Sequence, residues 1–344
     1  MVKTHKNNSI HPLFQTITLF FTLSVVAILC YRFMNKFCAI DPRPPIQLLS
    51  EKKIVSKSKI EVGFSINDLI EFNSVENKFT ISAVISFLFD PKIVPLEKIE
   101  QFNFEKGTIE SKSKVASKEI DGKMLARYNI KFSFNNNMYY GYFPFEDRRL
   151  YIVLDNSEIH LQDAAFKSSN VDLIVCPVHL PGWKSYDKKV YEGYISTKIT
   201  LSNKVNEEIL NPRIIFEIDY FHHSFRSLYL ILLPLLLIFV IEIFAFCVDQ
   251  EKYRNTLFSL SVVDIGALFA YRFVIQTISP DVAYLTLADY FFLIFLSTSF
   301  FTFFINGTGL YFSRFWKKVI CISLQIYLIL AFVYFLEFWP CCVC

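Results

Sequence analysis

Glycine is scarce in this chain, which has nine glycines among 344 residues, and none belongs to a Gly-rich loop that could cradle a phosphate. The six histidines form no His-x-x-x-His pair for a metal ion, and no Gly-x-Ser-x-Gly sequence marks a nucleophile. We therefore expect no enzyme activity, no cofactor and no metal site. The formal net charge of +3 is close to neutral and does not indicate a nucleic-acid partner.

Cysteine is present but does not form the pattern of a disulfide framework. The region 50–225 contains only Cys176, and the other cysteines are at positions 30, 38, 247, 321, 341, 342 and 344. Residues 339–344 form a Cys-rich tail. Two adjacent cysteines do not readily share one tetrahedral ion, and no histidine is close in sequence. We therefore interpret the tail as incidental or redox-active.

Long apolar runs dominate the C-terminal third of the chain, where four spans cover 228–248, 255–278, 284–305 and 319–338. Each has about 20 residues, the length that crosses a hydrocarbon core of about 30 Å as a helix. Backbone polar groups find no water there, so each span is expected to be helical. Residues 226–338 are therefore predicted to form a four-helix transmembrane bundle.

The second span differs from the other three because it is polar along much of its length. It carries Ser and Thr hydroxyls together with Asp264 and Arg272, while the first span carries Glu242. Charges at membrane depth are costly unless they are paired or wet, so this helix should be shielded by the others or line water. One polar helix among three apolar ones suits an oligomer whose polar helices meet on an axis.

The N-terminal region contains a fifth apolar run. Residues 13–34 follow a polar segment with Lys3 and Lys6, a pattern shared by signal peptides and signal anchors. The run is long and no small-x-small cleavage site follows Cys30, which favours a retained signal-anchor helix over a cleaved signal peptide. Residues 1–12 then form a cytoplasmic tail, and the prolines of 35–49 indicate a stiff, extended linker.

Residues 50–225 are predicted to form one β-domain. Apolar residues alternate at 62–66, 79–87 and 150–154, and further strands are expected at 191–201 and 213–220. Period-two alternation interrupted by Asn, Asp, Gly and Pro is typical of half-buried antiparallel strands, and many short strands favour a β-sandwich. The predicted fold class is an α+β membrane protein with a single N-terminal helix, an antiparallel β-sandwich and a C-terminal four-helix bundle.

Three parts of the chain, in order, resemble the pentameric ligand-gated ion channels of the Cys-loop receptor superfamily. Residues 61–66 and 87–90 read EVGFSI and FLFD and resemble the first two strands of that family. Residues 143–146 read FPFE and resemble its Phe-Pro-Phe-Asp loop, and 279–289 read SPDVAYLTLAD and resemble the link between its second and third membrane helices. The resemblance covers about residues 55–338. No cysteine pair brackets the FPFE loop, which indicates a prokaryotic-type subunit.

This resemblance implies a homopentamer in membrane lipid, with a small molecule or a proton bound between neighbouring β-domains. The family's ligands contact aromatic residues, and the candidates here are Phe102, Phe104, Trp183, Tyr186 and Tyr191. The segment 202–210, where the family covers its ligand, has no aromatic residue. Coupling to the pore is expected through Phe143, Pro144, Phe145, Glu146, His222, Pro280 and Tyr284. The pair at 222–223 is either a solvated interfacial feature or a pH-sensitive site.

The resemblance also implies a pore-facing stripe on the second helix. Counting back from the link, as in the family, gives Asn255, Ser259, Gly266, Ala270, Phe273 and Thr277. Counting from Arg254 instead shifts the stripe by three residues, so the register stays open. A ring of Asp264 lining water would favour cations, whereas Asp264 paired with Arg272 of a neighbouring subunit would be structural.

Positive charge predicts the orientation, because cationic loops stay in the cytoplasm. Arg314, Lys317 and Lys318 lie between the third and fourth spans. This places the β-domain outside the cell or in the periplasm and the chain in the cell (inner) membrane. The sequence thus predicts a pentameric ligand-gated channel-like receptor. The alternative is a non-conducting membrane sensor or scaffold that retains the receptor fold.

Overall fold

The computed structural model describes residues 11–35, 41–48, 56–73, 76–136, 138–145, 147–168, 174–175, 183–201, 205–222, 225–308 and 312–338. The helices are α1 (Pro12–Met34), α2 (Leu96–Ile99), α3 (Phe225–Ala245), α4 (Gln250–Ile278), α5 (Leu287–Thr308) and α6 (Arg314–Val333), which a π-helical turn, Tyr334–Phe338, continues. The strands are β1 (Gln47–Leu48), β2 (Ser58–Asn73), β3 (Lys78–Phe89), β4 (Phe102–Phe104), β5 (Gly107–Lys112), β6 (Ala116–Ile120), β7 (Lys123–Asn135), β8 (Arg148–Asn156), β9 (Ala164–Ser168), β10 (Ile174–Val175), β11 (Trp183–Leu201) and β12 (Val205–His222).

The chain divides into two compact units. The helical unit contains the described residues of Met1–Cys38, Tyr140–Glu146 and Ser224–Cys344. The sheet unit contains those of Ala39–Tyr139 and Asp147–His223. The segment with the FPFE loop therefore belongs to the helical unit, although it interrupts the β-domain in sequence.

The sheet unit contains two sheets. One has the strand order β1–β11–β12–β8–β4, and the other has the order β10–β2–β3–β7–β5, with β6 paired to β7 and β9 paired to β2. The expectation of wholly antiparallel strands is wrong in one place, because β9 and β10 both run parallel to β2. Pairing between strands that are about 100 residues apart leaves no trace in the local alternation on which that expectation rested.

A hydrophobic core contains side chains from strands of both sheets. Phe64 of β2 stacks on Phe216 of β12 with ring centroids 4.9 Å apart, and Phe104 of β4 stacks on Phe132 of β7 at 4.1 Å. Strand alternation directs side chains into this core. In β3, for example, every second residue from Phe79 onward is buried. Aromatic pairs contribute about 0.5–1.5 kcal/mol beyond the area that they bury.

Five helices among the described residues are long and apolar enough to cross a membrane: Pro12–Met34, Leu228–Ala245, Lys252–Ile278, Leu287–Thr308 and Phe315–Phe338. An N-terminal helix and four C-terminal apolar helices were predicted, and both are present. The helices α1 and α6 share hydrogen bonds. Gln15 Nε2 donates to Cys321 Sγ at 2.9 Å, and Thr22 Oγ1 donates to Gln325 Oε1 at 3.0 Å.

Several element boundaries differ from the sequence expectation, and three of them bear on the site. α4 begins at Gln250 rather than at residue 255, and Tyr253 (φ −119°, ψ 25°) marks a kink in its first turn. α5 begins at Leu287 rather than at residue 284, because Thr286 and Asp289 bond to each other at its N-terminus. β12 begins at residue 205, so most of the segment 202–210 is strand rather than loop.

Candidate functional site

The segment 140–145 caps the N-terminus of α5. The first N–H groups of a helix have no partner within the helix. Here the Leu287 N–H donates to the Gly141 carbonyl at 2.8 Å, and the Ala288 N–H donates to the Phe143 carbonyl at 2.9 Å. The backbone of this loop thus takes the place of a helical turn before α5.

Aromatic rings attach the same loop to two helices. Phe145 lies edge-on to Phe33 of α1, with ring centroids 5.1 Å apart, and to Phe291 of α5 at 6.2 Å. The peptide bond that precedes Pro144 is cis. The structure therefore brings the described part of the predicted coupling loop to the start of α5, whereas Glu146 lies outside the described residues.

The α4–α5 link contacts this loop as well. The Tyr140 N–H donates to the Tyr284 hydroxyl at 2.8 Å, and Pro280 is buried in the same link. His222 is the last residue of β12 and its backbone pairs with Trp183, but its side chain lies outside what the structure describes. Coupling by these residues stays a prediction, for which the loop and the link now have defined contacts.

Asp289 is the centre of a buried polar cluster at the start of α5. Its Oδ2 accepts from the Thr286 N–H at 2.7 Å and from the Thr286 hydroxyl at 2.8 Å. Its Oδ1 accepts from the guanidinium of Arg272 on α4, which also lies 5.5 Å from the ring centroid of Phe292. Arg272 is therefore paired within its own chain, and a contact with Asp264 of a neighbouring subunit stays a prediction.

The cap that Thr286 and Asp289 form at the start of α5 could have been found in the sequence. Thr286 and Asp289 form a Thr-x-x-Asp pattern in front of an apolar run, which is the pattern of a capping box. A carboxylate in the first turn of a helix also interacts favourably with the helix dipole. Sequence reasoning identified Arg272 as an intramembrane charge but did not connect it with this cap.

A cavity of about 660 Å³ lies beside the cluster. It is lined by residues 279–286 of the α4–α5 link together with Arg272, Gln276 and Asp289. Its volume falls within the range of about 300–1,000 Å³ that is common for ligand pockets. The polar side chains around it include both signs of charge, so a small polar molecule is the class of ligand that would fit.

The two faces of α4 differ. All six residues of the predicted pore stripe are exposed, namely Asn255, Ser259, Gly266, Ala270, Phe273 and Thr277. The residues of the opposite face are buried, namely Leu257, Ser261, Asp264, Leu268 and Ile275. Each set recurs at intervals of three, four or seven residues, so each shares one side of the helix. The predicted stripe therefore points away from the helices with which α4 packs.

The carboxyl groups named from the sequence lie inside the helical unit. Glu242 of α3 is 2% exposed and accepts a hydrogen bond from the Ser299 hydroxyl of α5. Asp264 is 5% exposed and lies on the buried face of α4. One turn away, Asn306 Nδ2 donates to the Ser261 hydroxyl at 2.8 Å. Polar groups thus fill the contact between α4 and α5, a position in which they hydrogen-bond rather than meet lipid.

Two of the predicted ligand-binding aromatics lie in the core of the sheet unit. Phe102 and Phe104 end the three-residue strand β4, and their exposures are 4% and 2%. They face inward together because residues i and i+2 of a strand share a face. Neither ring presents an open surface, so a ligand role for them stays a prediction that requires β4 to move.

The other three aromatic candidates have different surroundings. Trp183 is half-buried and packs on Phe72 with ring centroids 5.0 Å apart, whereas Tyr186 is 68% exposed. The Arg43 guanidinium lies 4.0 Å from the Tyr191 ring centroid and donates to the Tyr191 hydroxyl at 3.0 Å. Burial raises the pKa of the Tyr191 hydroxyl. The Tyr191 ring thus already contacts a cation of its own chain, and its ligand role stays a prediction.

Within the residues that the structure describes, no group of three or more His, Cys, Asp or Glu side chains could hold a metal ion. No known family model matches the chain, and no curated protein matches it. The chain combines a β-sheet domain with several apolar helices, which is loosely compatible with the architecture of a pentameric ligand-gated channel.

Proposed function

We propose that the chain is a subunit of a homopentameric, ligand-gated channel-like receptor in the cell (inner) membrane. In this proposal the two sheets form a β-sandwich outside the cell or in the periplasm, and α4 lines the pore. A small molecule or a proton between neighbouring sandwiches would open it. The observation that carries the proposal is the exposure of the whole predicted stripe of α4, from Asn255 to Thr277.

An uncovered polar helix needs an explanation in a membrane, because lipid tails offer no hydrogen bonds to polar groups. Among the five candidate spans, the one in α4, Lys252–Ile278, has the smallest share of buried residues, 22%. Its exposed stripe includes Asn255, Ser259 and Thr277, whereas its buried face packs Leu268 fully against the same chain. Copies of the chain arranged around an axis would place these polar groups along enclosed water.

The stripe also contains features that suit a gated pore. Gly266 and Ala270 are small and would leave the pore wide. Phe273 is 70% exposed, and a ring of phenylalanines is a constriction that can gate by dewetting. Phe273 is therefore the proposed gate.

The capped loop supports a route for coupling. A displacement of segment 140–145 would act on the first turn of α5 through its two backbone hydrogen bonds. It would act on the link through Tyr284, and the Asp289–Arg272 pair would pass the movement to α4. The chain enters and leaves this loop from the sheet unit, which connects it to the proposed ligand site along the sequence.

Cysteine accessibility along α4 tests the proposal, since α4 contains no native cysteine. We expect Ser259→Cys, Gly266→Cys and Ala270→Cys to react with a water-soluble thiol reagent and to change the current of the purified, reconstituted protein. Leu268→Cys is the matched control and should stay silent because that side chain is fully buried. The unsubstituted chain controls for its native cysteines. Phe273→Ser should raise the leak current.

Two other results would change the interpretation. If Asp264→Cys and Leu268→Cys react while the stripe is silent, the register counted from the link is wrong, although the channel stands. If no α4 position reacts and Phe273→Ser passes no ions, the channel is refuted and the non-conducting sensor or scaffold takes its place. The specific observation in favour of that alternative is α1, a helix that the resembled family usually lacks. A monomeric or dimeric mass in detergent would refute the pentamer.

A further inference from the structure

An apolar groove runs between α1 and α3 in the helical unit. Its volume is about 310 Å³, the lower end of the range of about 300–1,000 Å³ for ligand sites. Leu23, Val26 and Ala27 line it on α1, and Leu232 and Leu233 line it on α3. The groove therefore offers an almost wholly apolar surface to a molecule that arrives from the side of the helices.

One end of the groove has a different character. Tyr31 of α1 and Tyr229 of α3 both line it and are 60% and 63% exposed. Tyrosines with an apolar body and a wet hydroxyl are enriched at the membrane–water interface. This end, where α1 finishes and α3 begins, is thus the headgroup end, and the leucines lie deeper.

A cation stands on the groove face at the same end. Arg226 is exposed and precedes Tyr229 by three residues and Leu233 by seven, so the three share one side of α3. Arg32 lies in the last turn of α1, next to Tyr31 in sequence, but on a different side of that helix from the groove. Its guanidinium is 3.7 Å from the Glu337 carboxylate. Among the described residues of α1 and α3, Arg226 is therefore the arginine on the same side of its helix as the groove, one turn before Tyr229.

We propose that this groove binds an anionic phospholipid, with one acyl chain between α1 and α3 and the phosphate at Arg226. The shape and polarity of the site follow those of the molecule, since a guanidinium and two tyrosines stand at the end of an apolar slot. Arginine suits this task because its planar group donates two parallel hydrogen bonds to phosphate oxygens. The site is independent of whether α4 lines a pore.

Native mass spectrometry tests the proposal. The full chain is incubated with a mixture of phosphatidylglycerol and phosphatidylcholine, and the lipids that stay bound are identified by mass. We expect preferential retention of phosphatidylglycerol, and a preference reduced about fivefold in Arg226→Gln, the effect of one cation near an anionic headgroup. Arg32→Gln is the matched control, because it removes the same charge at the end of α1 on the face that pairs with Glu337. That control should keep the preference.

Filling the groove provides the second arm. Ala27→Trp should abolish retention of both lipids at this site, whereas Ile28→Trp adds the same ring to an exposed position that does not line the groove. Equal retention of the two lipids by the native chain would identify ordinary surrounding lipid and overturn the proposal. So would an unchanged preference in Arg226→Gln, or a mass showing that a second copy of the chain occupies the groove.

Discussion

The two units bury different kinds of side chain. The core of the sheet unit is built from Phe, Ile, Val, Leu, Ala and Tyr, and the buried Arg213 of β12 pairs with Asp155 of β8 at 2.7 Å. The helical unit buries polar groups between helices as well, including Gln15, Thr298 and Gln325 and the carboxyl groups of Glu242 and Asp264.

The five long apolar helices suggest a membrane protein, and a membrane around the helical unit would account for the difference. In water, apolar burial drives folding, at about 25 cal/mol per Å². Between membrane helices lipid is as apolar as leucine, so association relies on close packing and on hydrogen bonds between helices. The contacts of α1 with α6 show the second pattern, since Thr22 bonds Gln325 at 3.0 Å and Gln15 bonds Cys321 at 2.9 Å. Substitutions of comparable size should therefore have unequal effects in the two units.

The largest effect is expected in the sheet core. Phe132 is fully buried and stacks on Phe104. Phe132→Ala should lower the free energy of unfolding of this unit by about 3–5 kcal/mol, since it removes apolar area and leaves a cavity. Denaturant unfolding of the full chain, followed by Trp183 fluorescence, measures the change. Ile120→Ala, at a position 38% exposed, should change it by less than about 0.5 kcal/mol.

The next effect should come from the cap of α5. Asp289→Ala removes the acceptor for Thr286 and the partner of Arg272 together. The loss of a cap costs about 0.5–2 kcal/mol, and leaving Arg272 without its carboxylate adds to it. The midpoint of thermal unfolding in detergent should fall more for Asp289→Ala than for Thr286→Ala, which removes the hydroxyl and a methyl group but leaves the Asp289–Arg272 pair in place. Equal midpoints for the two variants would show that the ion pair contributes nothing.

A smaller effect is expected for the polar contact of α1 with α6. Gln325→Leu removes the hydrogen bond from Thr22 and should cost about 0.6 kcal/mol, up to about 1.7 kcal/mol. A double-mutant cycle with Thr22→Val isolates the pair, and Ile326→Leu, on an exposed position of the same helix, is the control. A cost as large as that of Phe132→Ala would contradict the contrast between the units.

The smallest effect is expected at an exposed ion pair of the sheet unit. Hydrogen bonds from Lys131 and Ser133 lower the pKa of the Glu110 carboxyl. Because folding lowers this pKa, the stabilisation is present above the unfolded value, about 4.3, and is lost as the pH falls through the folded value. The small difference in melting temperature between the native chain and Glu110→Gln at pH 7 should therefore vanish once the pH is below the folded value, and it should shrink in salt. A difference that grows in acid would contradict this sign.

Local patterns in the sequence were sufficient to predict where helices and strands lie, but not which of them pair. Apolar runs predicted the five long helices, and alternation along residues 79–87 predicted β3, because both depend on neighbouring residues. The parallel pairs of β9 and β10 with β2 were not predictable in this way. Nor was the bond from Gln15 to Cys321, which joins residues 306 positions apart.

The candidate site shows the same division. The stripe of α4 was counted from the link, and Ser259, Gly266 and Ala270 on it are exposed, but so are the residues of the stripe shifted by three positions, and the register stays a prediction. The burial of Phe102 could not be predicted, because a three-residue strand is too short to show a period. The partner of Arg272 needed the cap of α5 to be recognised first, so that Asp289 was placed next to α4.

The bonds between α1 and α6 also order the events of biosynthesis. At about 5–20 residues per second, the 306 positions that separate Gln15 from Cys321 take on the order of 15–60 s to synthesise. α1 is therefore made well before α6, and the buried Gln15 amide has no α6 partner during that time. A nascent chain that stalls before α6 leaves Gln15 and Thr22 without these acceptors, which distinguishes an interrupted product from a completed bundle.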